Sequence, residues 1–122
     1  MVKVVFDSSF LMSVADKPTP WKEDMIDLIG GIEPLMLDCV KVELQRLAST
    51  SGRRGRAARV GLQLAKDFAL KKCGGAEVDD EIISIALDEG AFVASNDKKL
   101  LDSLKAAGVE VLQLREGRVA VG

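Results

Sequence analysis

Four carboxylates of the 122-residue chain stand where apolar residues or plain helix caps are expected, and they come from four separate stretches. Asp7 ends the run Val-Lys-Val-Val-Phe, whose β-branched and aromatic residues suit a buried strand. A carboxylate at that position loses water and needs a hydrogen-bond donor or a cation, although capping a following helix would also explain it. Glu43 lies beside Val40, Leu44, Leu47 and Ala48, the apolar stripe of a helix predicted from Cys39 to Ser49, while Lys41, Gln45 and Ser49 mark the wet face. Glutamate is rarely buried unpaired, so a metal or a basic group is expected nearby. Asp79 falls on the apolar face of Ile82, Ile83 and Ala86, Asp80 is turned about 100° away, and Glu81, Ser84 and Asp88 lie outside. Asp97 closes Phe92-Val-Ala-Ser-Asn-Asp, repeating the strand-end aspartate with hydroxyls seen at Phe6-Asp7-Ser8. First-turn capping competes as an explanation for Asp79, Asp80 and Asp97. If one sheet edge gathers Asp7, Glu43, Asp79 and Asp97, their mutual repulsion calls for one or two divalent cations.

The composition narrows the chemistry further. The chain has no histidine, which excludes serine–histidine or cysteine–histidine catalysis and histidine-ligated zinc. Any hydrolysis must use carboxylates, with or without a metal. Cys39 and Cys73 are too few and too far apart for a metal knuckle, and the reading is of two reduced thiols in a cytoplasmic protein. No apolar run approaches the ~20 residues of a membrane span, and Lys3 and Asp7 bracket a strand-sized segment rather than a signal peptide. The net charge of −2 hides a division. Lys41–Lys72 holds nine basic and two acidic side chains, a balance of +7, against eight basic and seventeen acidic elsewhere, −9. A basic lobe of that kind suits a polyanion, beside an acidic lobe that suits cations; two ordinary solvated helices would give the same count.

The elements that must position these residues alternate. Strands are expected at residues 2–6, 34–37, 91–94 and 109–114, with a short one near 70–73 and an edge strand at 118–121. Helices are expected at 10–15, 21–29, 39–49, 56–70, 79–89 and 98–107, with Asp38 as an N-cap and residues 49–55 as a flexible break. The predicted fold is α/β: one domain spanning residues 1–122, a three-layer α/β/α sandwich with a central, mostly parallel sheet of four to five strands.

The order Val-Phe-Asp-Ser-Ser-Phe-Leu (5–11), Val-Glu-Leu (42–44), Val-Asp-Asp-Glu-Ile-Ile (78–83) and Ala-Ser-Asn-Asp-Lys-Lys-Leu (94–100) resembles the PIN-domain nucleases. The resemblance spans nearly the whole chain. It implies an acidic metal-binding set of Asp7, Glu43, Asp79 and Asp97, with Asp80 as an extra ligand or the true third acid, and Ser8, Ser95 and Asn96 in support. Ser95 stands where the family commonly has threonine. The wording of the last two motifs is more similar to the archaeal and eukaryotic ribosomal-RNA-processing branch than to the VapC-type toxins.

The implied activity is metal-dependent hydrolysis of RNA phosphodiesters, with Mg2+ or Mn2+ suited to an all-oxygen site. A catalytically weak RNA-binding or scaffold subunit is the alternative. Arg46, Arg53, Arg54, Arg56 and Arg59, beside Gly52 and Gly55, would grip phosphates. With one Trp, four Phe and no Tyr, base stacking is expected to be limited. The family also implies a homodimer and a protein partner, an antitoxin or a ribosome-assembly factor; Trp21, Met25 and Leu28 suit either core or interface. Two competing α/β folds fail on their residues. A receiver domain needs an acidic pair at the first strand and a lysine after the last core strand, and a haloacid-dehalogenase-type phosphatase needs aspartate where Ser9 stands.

Overall fold

The computed structural model of the chain describes residues 1–122. Its order is β1 (Val2–Phe6), α1 (Ser8–Asp16), α2 (Trp21–Ile29), β2 (Ile32–Leu37), α3 (Asp38–Ala48), α4 (Gly52–Leu64), β3 (Ala69–Lys71), α5 (Val78–Glu89), β4 (Phe92–Ala94), α6 (Lys98–Ala106), β5 (Val111–Arg115) and β6 (Arg118–Val121). The strands form one sheet in the order β3-β2-β1-β4-β5-β6, parallel except for the β5–β6 hairpin. The expected α/β architecture is therefore present, with six strands rather than four or five. β1 is central, pairing Val2 with Ile32 on one side and Val4 with Phe92 on the other. Its buried residues Val4, Val5 and Phe6 need apolar cover on both faces, which parallel crossover connections provide.

The chain leaves β1 toward β2 and β3, then returns past β1 to β4 and β5. With right-handed crossovers this reversal puts α1–α4 on one face and α5 and α6 on the other. α1, α3 and α4 pack on each other, α5 on β1 and β4, and α6 on β5. Phe6 anchors the first layer, its ring 5.6 Å from Phe10, 5.3 Å from Trp21 and 4.8 Å from Phe68. Trp21 and Met25 thus belong to the core, while Leu28 is exposed.

Three local expectations are corrected. The supposed flexible break at 49–55 is mostly helix: α4 starts at Gly52, and Gly55 is buried with the Thr50 carbonyl oxygen 2.0 Å from where a Cβ would sit. That glycine serves a close approach, not a hinge. Asp38 does not cap α3; Leu37 holds the cap position, and Asp38 Oδ1 accepts the Cys73 N–H at 3.0 Å. Finally, Cys39 and Cys73 are not separate thiols. They form a disulfide between the first turn of α3 and the segment after β3, because both segments leave adjacent strands at the same edge.

Candidate active site

In a parallel sheet every strand points its carboxyl end at one edge, and ligands bind where the strand order reverses. Here that point is the crevice between β1 and β4. Asp7 follows β1 directly, and its N–H continues the ladder to the Ala94 carbonyl at 2.9 Å. Ser95, Asn96 and Asp97 follow β4 across the crevice. α5 opens at the same edge with Val78-Asp79-Asp80, because the chain arrives there from the end of β3.

Asp7 is 7% exposed and occupies the N-cap position of α1, yet its side chain caps nothing. Instead Oδ2 accepts two hydroxyl protons, from Ser9 at 2.5 Å and from Ser95 at 3.0 Å. Each hydroxyl gives its one proton to Asp7 and is itself an acceptor, Ser9 Oγ for the Asn96 N–H at 2.9 Å and Ser95 Oγ for the Asp97 N–H at 3.1 Å. A small network thus ties the two strand ends together through one carboxylate oxygen. Oδ1 takes none of the protein's hydrogen bonds, which leaves it for a ligand.

Asp97 does cap its helix, accepting the Leu100 N–H through Oδ1 at 3.2 Å. The Asn96 side-chain oxygen accepts the Leu114 N–H at 2.9 Å, fastening this loop to β5. Asp79 closes the group electrostatically. Its pKa is raised above the ordinary value of 3.8, first because the carboxyl is partly desolvated, next because Asp7 and then Asp97 present like charge; Lys99 opposes this and Asp80 adds to it. Asp79, expected on the apolar face of α5, is an exposed residue here, as is Asp80, because both sit in the first turn of the helix, at the open edge of the sheet. Repulsion of this kind is relieved by a cation, and a cluster of carboxylates without imidazole or thiolate suits a hard one such as Mg2+ or Mn2+.

Other sequence candidates sit differently. Glu43 is half-buried on α3, without an ion pair or hydrogen bond, and is not among the charges that perturb Asp79. α3 starts at the same sheet edge, so Glu43 lies about one turn and a half behind it. Ser8 makes no side-chain hydrogen bond; the hydroxyl that matters is that of Ser9, and its only trace in the sequence is its place two residues after Asp7. Glu81, expected on the wet face, turns back to accept the N–H groups of Gly74 at 2.6 Å and Ala76 at 3.0 Å, holding the segment that delivers Asp79. Among the arginines, Arg53 is engaged by Asp16 through two 2.9 Å bonds, and Arg59 donates to the carbonyls of Ala48 and Thr50. Arg46, Arg54 and Arg56 are exposed and unpaired.

Fold and acidic crevice together define a class. Residues 4–117 match the family described as a PIN like domain, and the chain belongs to that family. Over 121 residues it is 26% identical to Ribonuclease VapC4 of Methanocaldococcus jannaschii, covering 95% of this chain and 92% of that protein. It is 28% identical over 119 residues to the rRNA-processing protein FCF1 of Saccharomyces cerevisiae, covering 92% of this chain but only 59% of the yeast protein. In three dimensions it is similar to the PIN domain endonuclease Utp24, with a TM-score of 0.75 and 27% identity over 98% of this chain and 90% of that one. The resemblance carried by the four acidic motifs holds.

Proposed function

We propose that the chain is a metal-dependent ribonuclease that hydrolyses RNA phosphodiesters at the β1–β4 crevice. The observation that carries this reading is the placement of Asp7, Asp79 and Asp97, from three separate segments, at the same edge of the sheet, with Asp7 buried and its Oδ1 free of protein hydrogen bonds. Relatives named as a ribonuclease and as an rRNA-processing protein support RNA as the substrate.

Asp7 Oδ1, Asp79 and Asp97 would hold Mg2+ or Mn2+, with Glu43 and Asp80 as outer acids reaching it through water. When bound, the cation would lower the pKa of a water and stabilise charge on the scissile phosphate. Ser9 and Ser95 keep the Asp7 carboxylate in one orientation by donating to Oδ2. The buried surroundings of Asp7 limit its hydration and so strengthen its pull on a cation. Arg46, Arg54 and Arg56 would neutralise RNA phosphates away from the crevice, while Arg53 and Arg59 hold the fold.

The test is cleavage of labelled single-stranded RNA with Mn2+, with Mg2+ and with chelator. Wild type should cut only with metal, and Asp7→Asn should lose about a hundredfold or more of the rate. Equal rates for the two proteins would refute this site. Binding without cleavage by wild type would favour the scaffold reading instead.

A further inference from the structure

A cleft of about 490 Å³ opens beside this crevice and is not formed by the clustered acids. It lies between the end of α1, with Asp16 and Lys17, and the end of the sheet, with Asn96, Leu114, Glu116 and Gly117. Its volume is in the range of pockets that hold a nucleotide-sized molecule, about 300–1,000 Å³. Its lining residues are mostly polar in type, with Leu114 as the one hydrophobic side chain.

Two polar groups here keep hydrogen-bonding capacity that the protein does not use. The Asn96 amide is oriented by the Leu114 N–H on its oxygen, so its nitrogen, with two donors, has no protein acceptor. Glu116 is the one non-glycine residue with positive φ, at +52°, and precedes Gly117 at +77° in the β5–β6 turn. Two-residue turns of this handedness favour Asn, Asp or Gly at the first position, so glutamate is a costly choice there. No hydrogen bond or ion pair of its carboxylate compensates, nor does Lys17 have a partner. Asp16, by contrast, is neutralised by Arg53.

We infer that this cleft is a base-reading subsite: it takes one unstacked nucleotide of the RNA next to the phosphate at the acidic crevice, and Glu116 selects its base. The inference rests on the ribonuclease reading for the identity of the polymer. Hydrogen bonds must do the reading, because Phe6, Phe10, Trp21 and Phe68 are spent in the core cluster and no aromatic residue lines the cleft. The face of the base would rest on Leu114. A carboxylate only accepts hydrogen bonds, and guanine alone offers it two adjacent donors, N1–H and N2–H. The Asn96 amide nitrogen supplies a donor for an acceptor on the same nucleotide, and Lys17 a charge for a neighbouring phosphate.

The experiment is a titration of the metal-free protein with GMP, AMP, CMP and UMP, followed through the backbone amide NMR shifts of residues 13–19 and 114–117. GMP should move these amides and bind about tenfold tighter than UMP, the effect of one charge-assisted hydrogen bond. In Glu116→Gly, which removes the carboxylate and suits the turn, the preference should vanish while the fold is kept. In Glu116→Gln it should fall without vanishing. Shifts absent from the cleft with all four nucleotides, or an unchanged preference in Glu116→Gly, would overturn the subsite. Because no metal or turnover is involved, failure of RNA cleavage by wild type would count against the ribonuclease reading alone. If cleavage occurs, cut sites in a random-sequence RNA should show guanine beside the cut for wild type and no such bias for Glu116→Gly.

Discussion

At the scale of single residues, partial desolvation first, and then the like charges of Asp7 and Asp97, act against the ionised form of Asp79. Asp79 has a raised pKa, so the fold disfavours its ionised form. That penalty is absent at low pH, grows as pH rises through the ordinary carboxylate value of 3.8 toward the raised value, and is complete above it. Asp79→Asn should therefore raise the melting temperature of the metal-free protein at pH 7, with the gain disappearing below pH 3.8. Mn2+ should raise the melting temperature of wild type and have little effect on the variant. Thermal melts with and without chelator measure both. Ser9 is the complementary case. Ser9→Ala would leave the Asn96 N–H without a partner and Asp7 Oδ2 with Ser95 alone, at a cost of about 1–3 kcal/mol.

At the scale of elements, two fastenings hold the outer parts of the sandwich. Asp24 on α2 is 5% exposed and receives the Arg118 guanidinium, Nε at 2.9 Å and Nη2 at 2.5 Å, together with the Val119 N–H at 3.1 Å. These bonds pin β6 to α2 and lower the Asp24 pKa to about 2, first through the Arg118 hydrogen bonds and then through Val119. A depressed carboxylate pKa contributes stability above the ordinary value of 3.8, and that contribution is lost as pH falls through about 2. Asp24→Asn should thus melt below wild type at pH 7, with the gap closing between pH 4 and 2 in a pH series of melts. The Cys39–Cys73 disulfide closes a separation of 34 residues between α3 and the lead-in to α5. Loop-closure entropy puts its contribution at about 2–4 kcal/mol. Cys73→Ser, or dithiothreitol on wild type, should lower the denaturation midpoint by a matching amount in urea melts.

At the scale of the whole molecule, the structure spends part of the basic segment on the fold itself. Arg53 and Arg59 hold α4 to α1 and to the end of α3, and three of the five candidate arginines stay free. Binding of single-stranded RNA by a non-cleaving Asp7→Asn protein should depend on salt accordingly. Arg54→Ala and Arg56→Ala should each reduce the slope of log K against log salt by about 0.7. Arg53→Ala should chiefly lower stability. Fluorescence anisotropy across a salt series, beside a melt of each variant, separates the two effects.

Local pattern and composition carried most of the fold and the family resemblance. Alternating strand and helix periods, apolar stripes and strand-end aspartates are properties of neighbouring residues, and neighbouring residues obey the same sterics in any context. That is why β1, α2, α5 and β6 fall within a residue of where their sequences put them, and why Asp7, Glu43, Asp79 and Asp97 stand out as candidates in the chain itself. What depended on distant partners was not legible. Whether Asp7 caps α1 or accepts from Ser95 is decided by a segment 88 residues away. Whether Gly55 is a hinge or a contact is decided by the Thr50 carbonyl, and whether two cysteines meet is decided by the pairing of β2 with β3. Residue types specify what each group can do, but a site is made of distances, and those exist only once the sheet has closed around β1.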